Sequence, residues 1–93
     1  MQTVATSIET LLGNAITKIN TLPGANAKFY EQLGKSRTVV SNWRRGISKP
    51  SDNDLALFFK TAASIIREFE ELQKKQKVLT QAAIAELESL ISV

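Results

Sequence analysis

The sequence contains no cysteine and no histidine among its 93 residues, and only four glycines and two prolines. Without cysteine the chain has no disulfide framework, no thiolate metal site and no thiol nucleophile. Without histidine it lacks the most common general base and the most common metal ligand. So few glycines leave no room for a glycine-rich catalytic loop of any size. The composition therefore predicts that the protein is not an enzyme and holds no metal or other cofactor.

Long apolar runs are also missing from the sequence. No run approaches the ~20 residues needed to span a bilayer. The segment 1–6 carries no basic residues ahead of an apolar stretch, the pattern that marks a signal peptide. The whole chain, with 43% hydrophobic and 23% charged residues, is typical of one globular domain. We therefore expect a cytoplasmic protein with one modest core and no membrane partner.

The charged residues that are present are distributed unevenly. Residues 28–49 hold six basic residues and one acidic residue, so this stretch has a net charge of +5 and the rest of the chain sums to −2. A concentrated positive surface on a small domain is the usual footprint of a nucleic-acid-binding protein.

The hydrophobic spacing is helical nearly throughout, which predicts an all-α fold. Thr6 and Glu9 form a candidate capping box for a first helix, which ends at the Leu22–Gly24 turn. One face of this helix carries Val4, Ile8, Leu11, Leu12, Ile16 and Ile19. None of the first three predicted helices is long enough to be stable alone, so they must pack together.

Two further short helices are predicted in the next stretch. The second runs from about Asn26 to Leu33 and ends at Gly34, and the third begins after Ser36 as N-cap and reaches Arg45. Gly46 supplies the C-terminal stop of the third helix.

Residues 51–93 have a different character. Ser51 and Asp54 form a capping box, and the chain then continues to about Lys77 without glycine or proline. An a/d seam follows the spacing of Leu55, Phe58, Ala62, Ile65, Phe69 and Leu72. A last amphipathic segment carries Ala83, Ile84, Leu87, Leu90 and Ile91. The pattern leaves open whether a separate helix begins at Thr80 or the long helix continues.

The stretch 26–50 carries the functional signal. Two short helices joined by a turn that contains glycine make a helix-turn-helix, whose second helix enters the DNA major groove. Val39, Val40 and Trp43 share one arc of the third helix, and Trp43 is expected to pack in the core rather than to stack on bases. The opposite arc contains no acid and consists of Arg37, Thr38, Ser41, Asn42 and Arg45. Such side chains can pair with base edges and phosphates, although an ordinary solvated surface has a similar composition.

The segment LGKSRTVVSNWRRG (residues 33–46), followed by Pro50, resembles the phage repressor, Cro and XRE group of regulators. The Trp-Arg-Arg segment and the helical tail are also similar to those of the phage CII activators. The resemblance implies a lambda-repressor-like helix-turn-helix that binds DNA as a dimer or higher oligomer. It places Arg37, Thr38, Ser41 and Asn42 against bases, and Asn26 and Arg45 against phosphates.

Two positions depart from that family pattern. Tyr30 stands where a small residue is usual, so the helix pair must open slightly or the ring must lie across it. Lys35 stands where an apolar residue usually follows the turn glycine. The complete predicted DNA-binding set is Asn26, Lys28, Lys35, Ser36, Arg37, Thr38, Ser41, Asn42, Arg44, Arg45 and Lys49.

The apolar residues of the C-terminal half have two interpretations. They fold back to complete a five-helix core, or they join copies of the chain. The second is favoured, as a symmetric dimer with a tetramer as the alternative, because one recognition helix reads only a few base pairs. The predicted oligomerisation set is Leu55, Phe58, Phe59, Ala62, Ile65, Ile66, Phe69, Leu72, Ile84, Leu87, Leu90 and Ile91.

The sequence therefore predicts a DNA-binding part at 1–50, with the helix-turn-helix at 26–46, and C-terminal helices at 51–93 for core completion and oligomerisation. The predicted function is a sequence-specific transcriptional regulator of phage or mobile-element type that binds operator half-sites in double-stranded DNA. The alternatives are an antitoxin-like autorepressor, whose C-terminal helices hold a protein partner, and an architectural binder without sequence preference.

Overall fold

The computed structural model describes residues 7–91, and within that range the chain is helical with no strand. Its elements are α1 (Ile8–Asn20), α2 (Ala25–Leu33), α3 (Arg37–Arg44) and α4 (Asp52–Ile91). The predicted all-α class is confirmed. The expectations for Val4, Thr6 and the rest of segment 1–6 lie outside the described residues. In the described part of the chain no helix, α4 included, is long and apolar enough to cross a bilayer.

The helix ends follow the local capping signals. The Ser36 hydroxyl accepts a hydrogen bond of 3.1 Å from the Val39 N–H at the start of α3, as predicted. At the start of α4, the Asp54 N–H donates to the Ser51 hydroxyl at 3.1 Å and the Ser51 N–H donates to the Asp54 carboxylate at 3.4 Å. This reciprocal pair confirms the predicted capping box. The N-cap of α1 is Ser7, one residue after the predicted Thr6.

The turn between α2 and α3 depends on one glycine. Gly34 adopts a left-handed conformation with φ of 73°, and its N–H donates to the Tyr30 carbonyl. No atom lies within 4 Å of the position that a Cβ would take there. The glycine is therefore required by the backbone conformation and not by lack of space.

All four helices contribute to one core. Its central contact is the edge-to-face pair of Phe29 on α2 and Phe58 on α4, whose ring centroids are 5.2 Å apart. Trp43 is buried in the same core, in agreement with the sequence prediction. The buried residues are Leu12, Ile16, Ile19, Leu22, Ala25, Phe29, Leu33, Val40, Trp43, Phe58, Ala62 and Ile65.

Three residues predicted for oligomerisation belong to this core instead. Phe58, Ala62 and Ile65 are at most 3% exposed, because the first half of α4 packs against α1 and α2 of the same chain. The a/d pattern identified the apolar face of α4 correctly. For these three residues the face packs against α1 and α2 of the same chain and not, as predicted, against a second copy. Other members of the set pack against the core while partly buried, namely Leu55, Phe59, Ile66 and Phe69.

Three residues of the predicted apolar faces are exposed in the fold. Val39 is 36% exposed, since it lies one helical step from Val40 at the edge of the buried arc. On α1, Ile8 and Leu11 are 39% and 41% exposed, and the buried face is narrower than the predicted one.

A single helix of 40 residues forms the C-terminal half, so the long helix continues through Thr80. Its length accounts for the 64 Å long dimension of the described chain. Residues 71–91 are exposed throughout, and the interpretation in which residues 83–91 fold back to complete the core is therefore wrong. Large apolar side chains on this exposed part are Leu72, Val78, Leu79, Ile84, Leu87, Leu90 and Ile91.

Candidate nucleic-acid interface

The α2–α3 pair presents α3 on the surface of the core. Phe29 and Leu33 of α2 are buried together with Val40 and Trp43 of α3, and α3 also packs against α1. With one side of α3 fixed in this way, its other side faces solvent. Helix geometry, at about 100° per residue, then divides the exposed side into two arcs.

The arc that points directly away from the core carries Thr38, Asn42 and Arg45. Thr38 and Arg45 are exposed and Asn42 is half-buried. The Asn42 carbonyl accepts hydrogen bonds from the Ile47 and Ser48 N–H groups at 2.9 and 3.3 Å. These bonds fold the chain after α3 back against its last turn. The polar Asn42 side chain takes part in no hydrogen bond within residues 7–91.

The second arc carries Arg37, Ser41 and Arg44, on the flank toward α1 and α2. The Arg44 guanidinium runs past Gly13 of α1, where its Nε lies 4.0 Å from the position that a Cβ would take. The Arg37 guanidinium lies over the Tyr30 ring, 4.6 Å from the ring centroid, and donates a short hydrogen bond to the Asn26 side-chain oxygen. Arg37 is therefore held at the start of α3 by two side chains of α2.

Asn26 is used within the chain rather than left free. Its amide nitrogen donates to the Asn20 side-chain oxygen at 2.7 Å while its oxygen accepts from Arg37. We call Asn20, Asn26, Tyr30 and Arg37 the Arg37 cluster. Sequence reasoning missed the cluster, although Tyr30 was noted as too large for its position.

Tyr30 is accommodated because its ring lies across the α2–α3 junction. The ring makes an edge-to-face contact with Phe29, with centroids 5.1 Å apart, and supports the Arg37 guanidinium on its outer face. Burial raises the pKa of the Tyr30 hydroxyl above its usual value, and the positive charges of Arg37 and Arg44 partly oppose this shift. The hydroxyl therefore stays protonated at neutral pH.

Two lysines of the predicted DNA-binding set pair with acids of α4. The Lys28 Nζ lies 2.7 Å from a Glu68 carboxylate oxygen, and the Lys35 Nζ lies 3.5 Å from an Asp54 oxygen. Exposed ion pairs of this kind contribute little to stability. Their effect is on charge, since Glu68 and Asp54 compensate two of the six basic residues in 28–49. Lys28 and Lys35 therefore have acidic partners within the chain, and their contact with DNA stays a prediction.

The environment of Asp54 reflects this pairing. Desolvation alone would raise the pKa of the Asp54 carboxyl, but its hydrogen bonds with Ser51 and the neighbouring Lys35 ammonium lower the pKa below its usual value. The carboxylate is therefore ionised at neutral pH and holds Lys35 at the start of α4. A further pair joins Lys18 and Glu70 at 2.7 Å, and its hydrogen bond lowers the pKa of Glu70.

The remaining basic residues gather on α3 and the turn after it. Residues 37–50 contain no acid. Within residues 7–91, no carboxylate lies within ion-pair distance of the four cations that we call the basic surface, namely Arg37, Arg44, Arg45 and Lys49. An acid does reach the margin of this surface, where a Glu9 oxygen lies 3.8 Å from the position of a Cβ on Gly46.

Chemically, the arrangement offers guanidinium, amide and hydroxyl groups, which pair with base edges and phosphates. Residues 7–91 contain no group of three acidic, cysteine or histidine side chains that could hold a metal ion. No protein-family model, curated protein or solved structure matches the chain at a significant level. The fold and the charge distribution are therefore the features of the chain that bear on its function.

Proposed function

We propose that this chain is a sequence-specific transcriptional regulator of phage or mobile-element type, which binds double-stranded DNA through a lambda-repressor-like helix-turn-helix formed by α2 and α3. The observation that supports the proposal most strongly is the separation of charge. The three lysines Lys18, Lys28 and Lys35, which precede α3, pair with acids of α4. The basic surface on and after α3 has no ion-pair partner within residues 7–91. DNA is the partner whose regular negative charge fits such a surface.

The two arcs of α3 suggest a division of roles. Thr38 and Asn42 point away from the core and have the chemistry to read base edges in the major groove. Arg45 and Lys49 supply phosphate contacts, and the Arg37 cluster orients Arg37 before DNA arrives. A side chain that is already ordered loses less conformational entropy on binding.

Association of two or more copies completes the proposed function. A single α3 reads only a few base pairs, so useful specificity requires paired half-sites. The exposed apolar residues of α4 supply the surface for such association, because the core of one chain leaves them uncovered.

Selection of bound sequences from a random duplex library at physiological salt tests the proposal directly. We expect enrichment of one motif that contains two half-sites. Binding without enrichment would favour an architectural protein that contacts only the DNA backbone. A folded chain that binds no duplex would refute the assignment of α3.

Replacement of Arg45 by alanine is expected to weaken binding to all sequences alike and to reduce the slope of log affinity against log salt by about one. The reason is the loss of one phosphate contact and its released counterions. The matched control is Arg67→Ala, because Arg67 is also an exposed arginine but lies on α4. Fluorescence anisotropy over a salt series measures both. Equal effects of the two substitutions would contradict the role of Arg45.

An antitoxin-like autorepressor is the second candidate. It is favoured by the same exposed apolar residues of α4, which fit a protein partner as well as a second copy. The discriminating observation is whether the purified homo-oligomer still exposes this surface. Strong binding of a hydrophobic dye by the oligomer would favour the second candidate, and weak binding would favour the first.

A further inference from the structure

The part of α4 that extends past the core has a definite apolar side. We call residues 72–91 the distal segment. On an ideal helix, the side that carries Leu72, Leu79 and Leu87 is continuous with the side on which Phe58 and Ile65 enter the core. The apolar side of α4 therefore continues beyond the point where α1 and α2 cover it. On this uncovered part, Leu72, Leu79 and Leu87 are 50–70% exposed.

The charges on the two borders of this apolar side follow a pattern. On one border Lys75 and Glu86 share nearly the same direction, and on the other border Lys77 and Glu88 do. Each border thus has a cation near the beginning of the distal segment and an anion near its end.

This pattern distinguishes the two ways in which copies can associate. In a parallel, in-register pair, opposite borders meet at the same height, so Lys75 faces Lys77 of the second copy and Glu86 faces Glu88. In an antiparallel pair, each border lies against the same border of the second copy, which runs in the opposite direction. Lys75 then faces Glu86 of the second copy, and Lys77 faces Glu88 of the second copy. Only the antiparallel pair brings unlike charges together along both borders.

We infer that two copies of this chain associate through antiparallel distal segments, centred close to Gln81. The charge pairs and the apolar side chains agree on this register. It places Leu72 opposite Ile91 of the second copy and Leu79 opposite Ile84. The overlap covers about 30 Å of helix at ~1.5 Å per residue.

A cleft lies at the position where this arrangement places the C-terminal end of the second copy's α4. It has a volume of about 200 Å³ and opens between the turn after α1 and the place where α4 leaves the core. Its lining is formed by Leu22, Pro23, Phe69, Leu72, Gln73 and Gln76. Ile91 of the second copy, opposite Leu72, reaches this cleft and covers apolar surface that one chain alone leaves open.

The inference rests on the homo-oligomer in the proposed function and adds its orientation. In this orientation the two cores lie near opposite ends of the joined helices, with their α4 contacts at residue 62 about 58 Å apart along the axis. That separation is closer to two turns of B-DNA than to the ~35 Å of one turn. We therefore expect the selected half-sites to lie two turns apart.

Cysteine cross-linking tests the orientation, since the chain has no native cysteine. The variants are Leu72→Cys and Ile91→Cys in the full chain, each oxidised alone and as an equal mixture. The expected result is a disulfide-linked dimer in the mixture and almost none in either variant alone, because equal positions lie about 28 Å apart in the antiparallel pair. Analytical ultracentrifugation of the wild type gives the oligomeric state independently.

Each other outcome overturns the inference in a distinguishable way. Cross-linking of each variant with itself would establish a parallel pair and leave the proposed regulator intact. A wild type that sediments as a dimer without any of these cross-links would place the interface elsewhere. A monomeric wild type would overturn the oligomer of the proposed function as well, while DNA binding by α3 remains measurable in the same preparation.

Charge reversal provides a second measurement that does not need oxidation. Lys75→Glu with Lys77→Glu is expected to raise the dimer dissociation constant by roughly tenfold, because four contacts change from attraction to repulsion. Adding Glu86→Lys and Glu88→Lys to the same chain should restore it. An unchanged dissociation constant in the double variant would refute the antiparallel pair, since a parallel pair only exchanges one like-charge contact for another.

Discussion

Replacing Phe58 with alanine is expected to lower the free energy of unfolding by about 3–5 kcal/mol. The Phe58 side chain is fully buried and makes edge-to-face contacts with both Phe29 and Phe59, each at 5.2 Å between ring centroids. Because the Phe29–Phe58 contact lies between α2 and α4, removal of the Phe58 ring leaves a cavity between two helices of the core. Since domains of this size are stable by only ~5–15 kcal/mol, the variant should be close to unfolding.

Urea unfolding followed by far-UV circular dichroism measures this loss at a fixed protein concentration. Leu57→Ala is the matched control, because Leu57 is the preceding residue of the same helix and is 41% exposed. We expect its effect to stay within about 1 kcal/mol. A Phe58→Ala variant that loses no more stability than this control would contradict the described core.

Replacing Ile84 with lysine should reduce affinity for an operator with two half-sites by about 10²–10⁴-fold. Ile84 is 51% exposed in the single chain, so the substitution costs little in the monomer. In the antiparallel pair, however, Ile84 faces Leu79 of the second copy, and a buried ammonium there has no partner. The copies then bind their half-sites independently, and the gain from linking two sites is lost.

The experiment compares an operator with two half-sites and a fragment with one, using the same fluorescent label. Ala85→Lys serves as the control, since it adds the same charge one residue later, on the side of α4 that faces away from Leu72, Leu79 and Leu87. The expected effect of Ile84→Lys is confined to the longer operator, and that of Ala85→Lys is small on both. Equal losses on the single half-site would show that Ile84→Lys disturbs the DNA-binding part itself.

Local chemistry explains which parts of the fold could be predicted from the sequence. The caps at Ser36 and Ser51, and the turn at Gly34, depend on residues at most four positions apart, so the signal lies within one short window. The exposed and buried halves of α4 could not be separated in this way. Phe58 and Leu72 occupy equivalent places in one apolar pattern. Which of them is buried depends on how far along α4 the helices α1 and α2 pack.

The candidate site was predictable to a similar degree. The outward arc with Thr38, Asn42 and Arg45 follows from helical spacing alone. The pairing of Lys28 with Glu68 joins residues 40 positions apart, and no local pattern indicates it. The Arg37 cluster was not predicted for a related reason, since Asn26 and Tyr30 contact Arg37 only across the turn between α2 and α3. Composition counts charges, whereas tertiary structure decides which of them are compensated.

The extension of α4 past the core also bears on how long the protein survives in a cell. Residues 77–91 are held in the single chain by the hydrogen bonds of the helix itself, and a free helix of that length is marginal in water. In dilute solution their amide hydrogens should therefore exchange rapidly, and proteases should cut there first. In the dimer that we propose, a second copy covers this segment, so the abundance of the protein would set its lifetime as well as its proposed occupancy of DNA. A newly made pool at low concentration would be degraded quickly, and a pool above the dimer threshold would persist.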